Sequence, residues 1–354
     1  MTRRAPSFTP HRRGKPCNAA GGARTPLGPM LCRLLLLLSA ALVSAPLAAL
    51  APPPSRTPSA TLKLATWNME WLLTPEGFNA LKDHCTPAGD LQRRRQRSLP
   101  CDVAANLERS ATDVAAMARY ARQLDADVIA LQEVDGANAA RQIFPRHEFC
   151  FTGGPAVQNT GFAIRRGLPF RCGADLATLS LGDTVRRGAT IVLYPGTRRE
   201  LHLLGVHLKS GCARAQLDTR EHSCERLARQ GPALHDWVAG EAQAGARYAV
   251  LGDFNRDLLA ESGALSNHAP PGGLWAQLQE AGSSLMFNTA EGKPFRNCHI
   301  GQPHTGYIDY ILLGNALKSS LIAGSFERLT YSASDAWRLK LSDHCPVAIK
   351  LSLD

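Results

Sequence analysis

The chain of 354 residues has few aromatic residues (6%) and few charged ones (20%). Its hydrophobic fraction of 44% is typical of a globular protein, which excludes a disordered or collagenous chain. No two cysteines have the Cys-x-x-Cys spacing, so a structural zinc site has little support. Acidic residues are absent from residues 1–51, whose seven basic side chains supply most of the net charge of +10. Only +3 remains for the rest of the chain, which is weak evidence for a polyanionic partner.

An apolar run from Leu34 to Leu50 follows Arg33 and ends in small residues. A basic stretch, an apolar run and a zone of small residues are together typical of an export signal. We therefore predict a signal peptide or N-terminal leader at 1–51, a proline-rich linker at 52–60, and a secreted or periplasmic protein. Because an apolar run of about 17 residues is at the lower limit for crossing a bilayer, an uncleaved membrane anchor is the alternative.

Eight cysteines follow the leader, and an even number is expected for disulfides formed in an oxidising compartment. We expect most or all of them to be oxidised, with each bridge contributing on the order of 2–4 kcal/mol to stability. The sequence does not determine which cysteines pair with each other. The simplest pairing joins neighbours along the chain: Cys85–Cys101, Cys150–Cys172, Cys212–Cys224 and Cys298–Cys345.

Short apolar or alternating runs predict many strands and few helices. The predicted strands are 62–67, 127–131, 160–165, 187–194, 201–208, 247–252, 308–313 and 346–353. Helices are predicted over 112–124, over 273–281 and over much of 214–243, the last broken near Gly231-Pro232 because proline disrupts a helix interior. Residues 74–110 are polar and are expected to be irregular. This pattern favours an α/β sandwich without a second domain.

Polar residues recur where the predicted strands end, and they are Asn68, Glu133, His207, Asp253, Asn255 and the pair Asp343-His344. Taken singly, each has an ordinary explanation, since a strand-end Asn or Asp is usually a turn residue and a lone His is usually part of the core. Asp309 is different, because a charge within an apolar strand is costly unless it is paired. His344 is a suitable partner, since a carboxylate can hold an imidazole in one tautomer and favour its cation.

In this order the residues resemble the motif set of the endonuclease/exonuclease/phosphatase superfamily, the group similar to pancreatic deoxyribonuclease. The motifs are Trp67-Asn68, Gln132-Glu133, Gly205–Leu208, Gly252–Asn255, Ile308–Tyr310 and Ser342–Pro346. The resemblance covers about residues 60–354, and the stretch Gly205–Cys212, followed by Cys224, is most similar to secreted bacterial members. It implies an α/β fold, a four-layer sandwich of two mainly antiparallel β-sheets flanked by helices, with 61–354 as the catalytic domain.

The resemblance also implies a metal site. Glu133 is then the principal ligand of Mg²⁺, with Asn68 beside it and Asp343 close enough to contribute; Mn²⁺ and Ca²⁺ are alternative ions. Glu70 is an outside candidate for a second acidic ligand, and Arg187 is a candidate phosphate contact. Such a sparse set of oxygen ligands suits Mg²⁺, which usually takes only one or two carboxylates besides substrate oxygens.

The implied catalytic residues lie around this metal site. Asp253 orients or deprotonates the attacking water, and Asn255 hydrogen-bonds the phosphate. His207 and His344 stabilise charge on the phosphoryl or leaving oxygens, and Asp309 orients His344. This division of labour suits a phosphodiester, whose negative charge must be neutralised while water is aimed in line with the leaving oxygen.

The predicted function is a secreted, Mg²⁺-dependent phosphodiesterase, with a nuclease preferred. A lipid or inositol phosphatase or a sphingomyelinase is the alternative, disfavoured because no long apolar or aromatic hairpin stands out. A non-catalytic toxin or binding subunit is a third possibility, disfavoured because every expected polar position is occupied. The expected partner is a phosphodiester substrate, preferably nucleic acid, with no stable membrane partner and a monomer as the favoured state.

Overall fold

The computed structural model describes residues 60–87, 96–263, 272–281, 286–288, 295–299, 302, 304 and 306–353. The predicted leader and all but the last residue of the predicted linker lie outside these ranges, so both assignments stay predictions, as does the single catalytic domain at 61–354. Within the described ranges, none of the helices has the length and apolar character needed to cross a membrane.

Twelve strands are described, in two sheets of six. They are β1 (Thr61–Leu72), β2 (Val128–Val134), β3 (His147–Phe151), β4 (Asn159–Arg165), β5 (Phe170–Cys172), β6 (Ala189–Leu193), β7 (Leu201–His207), β8 (Tyr248–Asp253), β9 (Met286–Asn288), β10 (Asp309–Leu313), β11 (Glu327–Arg328) and β12 (Val347–Ser352). The strand orders are β11-β12-β1-β2-β4-β3 and β5-β6-β7-β8-β10-β9. Each sheet has one parallel pair at its centre, β1–β2 or β7–β8, and antiparallel neighbours elsewhere.

The described helices are α1 (Pro75–Lys82), α2 (Cys101–Asn106), α3 (Ala111–Leu124), α4 (Gly136–Ile143), α5 (His222–Gln243), α6 (Leu258–Glu261), α7 (Leu274–Glu280) and α8 (Ala333–Arg338). Short 3₁₀ helices span Ala177–Ser180 and Asn315–Ser320. The Ser110 side chain before α3 accepts from the Asp113 amide, and the Asp113 carboxylate accepts from the Ser110 amide, a capping box that defines the start of this helix.

Alternation along the strands sends side chains to two different cores. In β1, Leu62 and Leu64 point between the two sheets, where they pack with residues of both. Ala65 and Trp67 point to the other face, which α3 and α4 cover. The outer face of the second sheet is covered by α5 and α7. The predicted four-layer sandwich of two mainly antiparallel sheets is confirmed.

Two local predictions were wrong. Residues 74–110 include α1 and α2, because Pro75 begins α1 after a Thr74 side chain that accepts from the Gly77 amide, and Phe78 anchors that helix in a small core. Helix α5 runs without a break through Pro232. Its apolar face, which includes the buried Cys224, Leu227, Leu234 and Val238, packs on the second sheet and offsets the cost of a proline in a helix interior.

All four predicted disulfides are present, Cys85–Cys101, Cys150–Cys172, Cys212–Cys224 and Cys298–Cys345. The first joins the turn after α1 to the start of α2, and the last fixes the residue that follows His344. Four bridges in one chain fit an oxidising, extracellular compartment.

Candidate active site

The strand register brings three of the predicted residues into one row. His207 at the end of β7 lies opposite Asp253 at the end of β8, and Asp253 lies opposite Asp309 at the start of β10. Paired residues of neighbouring strands point to the same face, here the face between the two sheets. Asn68 of β1 reaches the same place from the other sheet, where its Nδ2 donates to Asp253 Oδ2 at 3.0 Å. The site therefore lies where the two parallel pairs end.

A bulge in β1 forms the next part of the site. Asn68 pairs with Gln132 and Leu72 with Val134, so the three residues between Asn68 and Leu72 oppose one residue of β2. Glu70, Trp71 and Glu133, three members of this bulge, have φ of 45°, 54° and 59°. The backbone is held by side chains, since the Glu70 amide donates to Asn68 Oδ1 at 3.0 Å and the Trp71 amide to Glu133 Oε2 at 3.2 Å.

The bulge gathers an acidic cluster, defined here as Glu70, Glu133 and Asp343. The Asp343 amide donates to Glu70 Oε2 at 3.0 Å, which ties the loop before β12 to the bulge. Burial, and then the charges of Asp343 and Glu133, raise the pKa of Glu70 to about 8, although Arg109 opposes them. The Arg109 guanidinium lies 3.6 Å from Glu70 Oε2 and donates to four backbone carbonyl oxygens, among them those of Glu70 and Trp71.

Asp253 is 1% exposed and is held on both oxygens. The Asn255 amide donates to Oδ1 at 2.7 Å, while Asn255 Nδ2 donates to Oδ2 at 3.0 Å and to the Leu208 carbonyl at 3.1 Å. Burial, aided by the charge of Asp309 and opposed by that of His344, raises the pKa of Asp253 to about 7. A carboxylate so placed is suited to accept a proton near neutral pH.

His207 faces both acidic groups, with Nε2 at 3.4 Å from Asp253 Oδ2 and 3.6 Å from Glu133 Oε1. The same nitrogen contacts the guanidinium of Arg186, which also donates to the Leu208 carbonyl at 3.1 Å. Arg186 is buried, and its Nε and Nη1 have no hydrogen-bond partner among the described residues. The predicted phosphate contact, Arg187, instead pairs with the carboxylates of two aspartates at 3.0 and 3.4 Å.

His344 is held from several sides. Its Nδ1 donates to Asp309 Oδ2 at 2.8 Å, and its carbonyl oxygen accepts from Trp67 Nε1 at 3.1 Å and from the Tyr331 hydroxyl at 2.6 Å. Burial opposes the imidazolium, but the Asp309 carboxylate outweighs it and raises the pKa of His344 well above the usual value. The ring of His304 lies over that of His344 with centroids 4.6 Å apart. The expected Asp309–His344 pair is thus formed.

The donor chemistry of the acidic cluster fits a hard divalent cation. All its candidate ligand atoms are carboxylate oxygens. Burial first, and then the charges of Asp343 and Glu133, raise the pKa of Glu70, and a bound cation would offset both effects. Asn68 Oδ1 accepts from the Glu70 amide, which leaves one of its two lone pairs for a cation, so Asn68 stays a predicted ligand. The tightest group of metal-type ligands in the described part of the chain is a different one, His304, Asp309 and His344, whose atoms lie within 4.8 Å.

The sequence matches the model of the Endonuclease/Exonuclease/phosphatase family over residues 65–344. The chain belongs to this family. Members of the family are phosphoester hydrolases and generally depend on a divalent metal. No curated protein sequence matches the chain at a significant level.

Solved structures agree with the fold. TDP2 from C. elegans has a TM-score of 0.51 and 14% identity, with 82% of this chain and 75% of that chain covered. A humanized TDP2 from D. rerio has a TM-score of 0.49 and 16% identity, covering 83% and 99%. The 3′ phosphatase NExo from Neisseria, bound to a product DNA hairpin, has a TM-score of 0.48 and 16% identity, covering 81% and 98%. At such identities the likeness concerns the fold alone.

The structure adds residues that the sequence did not single out. Arg186 and Arg187 are neighbours in the chain, so only the folded structure shows which of them contacts His207. Arg109 lies on a loop far from every motif, yet it donates to both the bulge and the loop before Asp343. No sequence signal marked it, because its contacts are to backbone carbonyls.

Proposed function

We propose that this protein is a secreted, Mg²⁺-dependent phosphodiesterase, with nucleic acid as the preferred substrate. The observation that carries the proposal is the meeting of carboxylates and cationic groups at one place: His207 Nε2 lies 3.4 Å from Asp253 and 3.6 Å from Glu133, and His344 Nε2 lies 3.9 Å from both Asp253 and Asp343. Oxygen ligands for a cation and donors for phosphoryl oxygens then flank one carboxylate base.

The bound Mg²⁺, held by Glu133 with Glu70 and Asp343, would neutralise phosphate charge and lower the barrier to attack. Asp253 accepts the proton of the attacking water, and the amides of Asn68 and Asn255 hold its carboxylate for that task. We expect the water to lie near Asp253 Oδ1, which accepts only from the Asn255 amide, whereas Oδ2 accepts from both Asn68 and Asn255.

The cationic groups act on the phosphate. Arg186 offers two nitrogens, Nε and Nη1, that have no hydrogen-bond partner among the described residues. His207 lies beside it at the end of β7. His344 is kept protonated at Nε2 by Asp309 on its Nδ1, so Nε2–H can donate to the oxygen on which charge develops. Asn255 is the least secure of the predicted phosphate contacts, because both its backbone and its side-chain N–H groups already donate within the protein.

Nucleic acid is preferred to a membrane lipid for a structural reason. In the part of the chain that the structure describes, Trp337, 73% exposed, is the only large hydrophobic side chain that is strongly exposed. An enzyme that works on sphingomyelin in a bilayer needs apolar or aromatic side chains that enter the interface, and one tryptophan offers little area for this.

The proposal is tested with purified protein, assayed on plasmid, single-stranded DNA, RNA, sphingomyelin and inositol phosphates, with Mg²⁺ and with a chelator. We expect chelator-sensitive hydrolysis of at least one nucleic acid. Faster turnover of sphingomyelin or of an inositol phosphate would favour the alternative substrate. The absence of turnover on all five, with Mg²⁺, Mn²⁺ or Ca²⁺ present, would leave only the binding subunit.

A further inference from the structure

The side chain of Arg109, in the segment before α3, joins two parts of the chain that carry the acidic cluster. Its Nη1 donates to the carbonyl oxygens of Glu70 at 2.7 Å and Trp71 at 3.3 Å, both in the bulge of β1. Its Nε and Nη2 donate to the carbonyl oxygens of Lys340 at 2.9 Å and Leu341 at 3.0 Å, in the loop before β12. The side chain is only 6% exposed. One buried guanidinium therefore bridges the bulge and this loop, and it uses more N–H donors than a lysine ammonium has.

These contacts fix the places of two carboxylates. Glu70 belongs to the bulge, and Asp343 follows the loop that Arg109 holds. The Asp343 amide donates to Glu70 Oε2 at 3.0 Å, and the Arg109 guanidinium lies 3.6 Å from the same oxygen. The first turn of α3 holds this loop too, since Asp113 Oδ1 accepts from the Lys340 amide at 2.9 Å. The backbone next to Glu70 and Asp343 is thus fastened by the protein's own hydrogen bonds.

The charge of Arg109 does not account for its place in this cluster. A cationic group 3.6 Å from Glu70 lowers the attraction for a second cation, so charge alone would weaken the binding of Mg²⁺. The guanidinium instead supplies geometry, because it donates four hydrogen bonds and each goes to a backbone carbonyl oxygen. Groups that hold metal ligands in position commonly change metal affinity by about 10–100-fold when they are mutated, although they do not touch the ion.

We propose that Arg109 is a positioning residue, which sets the affinity of the acidic cluster for Mg²⁺ by holding Glu70 and Asp343 in place before the ion binds. The inference rests on the metal site of the proposed function. Carboxylates that are already in place lose little conformational freedom when they bind a cation, and this lowers the dissociation constant. Since Arg109 contacts neither ion nor substrate in this role, its loss should affect ion binding more than the chemical step.

The test measures ion binding directly and turnover separately. Mn²⁺ binding is followed by electron paramagnetic resonance, which detects the free ion, and Mg²⁺ activation by hydrolysis of bis-p-nitrophenyl phosphate. We expect Arg109→Lys and Arg109→Gln each to raise the dissociation constant of Mn²⁺ by about 10-fold or more, with a parallel rise in the half-saturating concentration of Mg²⁺. The kcat at saturating Mg²⁺ should stay within about 3-fold of wild type.

Arg165→Lys is the matched control. Arg165 Nη2 donates to the Ala126 carbonyl at 3.0 Å, and its side chain pairs with two aspartates. It follows Ile164, which pairs with Val128 at the start of β2, so it lies at the end of these strands away from Glu133. The same substitution there should leave ion binding and turnover unchanged.

The alternative roles of Arg109 give different results. If it acts by charge alone, Arg109→Lys will bind Mn²⁺ like wild type and Arg109→Gln will bind it more tightly. If it serves only stability, both variants will unfold at lower temperature while their dissociation constants stay within about 2-fold of wild type. Either result overturns the inference, and so does a wild type that binds no Mn²⁺.

Hydrogen exchange in wild type covers the case in which neither variant folds. With a chelator present, the amides of Trp71 and Asp343, which donate to carboxylates of the cluster, should exchange much more slowly than in the denatured chain. Exchange at the denatured rate would overturn the inference, because the ligands would then not be held before the ion binds. If wild type binds Mn²⁺ but hydrolyses none of the substrates, the proposed function fails, while the dissociation constants still decide the role of Arg109.

Discussion

The Asp309–His344 pair allows the most direct test of the site. His344 Nδ1 donates to Asp309 Oδ2 at 2.8 Å, and both side chains are less than a tenth exposed. Two other carboxylates, Asp253 and Asp343, lie 3.9 Å from His344 Nε2. Asp309→Asn therefore removes the group that orients the ring, but leaves part of the negative charge that favours the imidazolium.

The expected losses follow from these contacts. His344→Ala removes the proton donor, and we expect a rate loss near the upper end of general-acid catalysis, about 10⁴-fold. Asp309→Asn keeps the ring and two of its three acidic neighbours, so we expect a loss near the lower end, about 10²-fold. If the two residues act as one unit, the double variant should stay near 10⁴-fold instead of reaching about 10⁶-fold.

The assay is kcat/KM on bis-p-nitrophenyl phosphate across the neutral and alkaline range, with folding checked by circular dichroism. The active form carries the proton on His344, so activity is present below its pKa and is lost as the pH rises through it. Since Asp309 raises this pKa, Asp309→Asn should shift the alkaline limit to lower pH. Asp125→Asn, at an exposed left-handed residue before β2, is the matched control and should change nothing.

If the rate loss of the double variant equals the product of the two single losses, Asp309 and His344 do not act as one unit. An alkaline limit that does not move in Asp309→Asn would refute the charge argument separately. If both results were found together, Asp309 would serve only the local structure of β10.

Three further predictions concern the rest of the site and the fold. Glu133→Gln should abolish turnover while thermal unfolding stays like that of wild type, because it removes the charge of the main proposed ligand but keeps its shape; normal rates at saturating Mg²⁺ would reject the assignment. Arg186→Lys should lower kcat/KM by about 10-fold or more, since it keeps the charge but loses the planar fork, while Arg187→Lys should stay within about 3-fold. Thiol titration of the denatured, unreduced, exported protein should find almost no free cysteine, and four or more free thiols would contradict the disulfide assignment.

Much of the fold followed from strand patterning, and the exceptions have one cause. All eight predicted strands are present, while the four that the sequence did not predict, β3, β5, β9 and β11, are the edges of the two sheets. Edge strands are short and pair on one side only, so they need neither a long apolar run nor regular alternation. A hydrophobic pattern detects burial, and among these strands β3, β5 and β11 have few buried residues.

The contacts within the site could be predicted where they depend only on the position of each residue along its strand. Asp253 ends β8 and Asp309 begins β10, and the register of these two neighbouring strands pairs them. Contacts that depend on backbone irregularity could not be predicted in this way. The left-handed turn at Glu70 and Trp71 has no glycine or proline to announce it. The resemblance ranked Glu70 below Asn68 as a metal ligand; in the structure the Glu70 carboxylate accepts from the Asp343 amide and the Asn68 oxygen accepts from the Glu70 amide.

In the bulge, the backbone conformation that these residue types prefer conflicts most with the conformation that the proposed site requires. Each non-glycine residue in the left-handed region costs roughly 1–2 kcal/mol, so Glu70, Trp71 and Glu133 together cost about 3–6 kcal/mol, a large part of the stability of a typical domain. Glycine at these positions would relieve the strain, but it would remove two carboxylates and an indole. The surrounding structure supplies the compensation: side-chain acceptors for the Glu70 and Trp71 amides, and Arg109 on their carbonyl oxygens. Strain that the surrounding structure offsets in this way is commonly found where side chains are needed at a functional site, which is the premise of the proposed metal site.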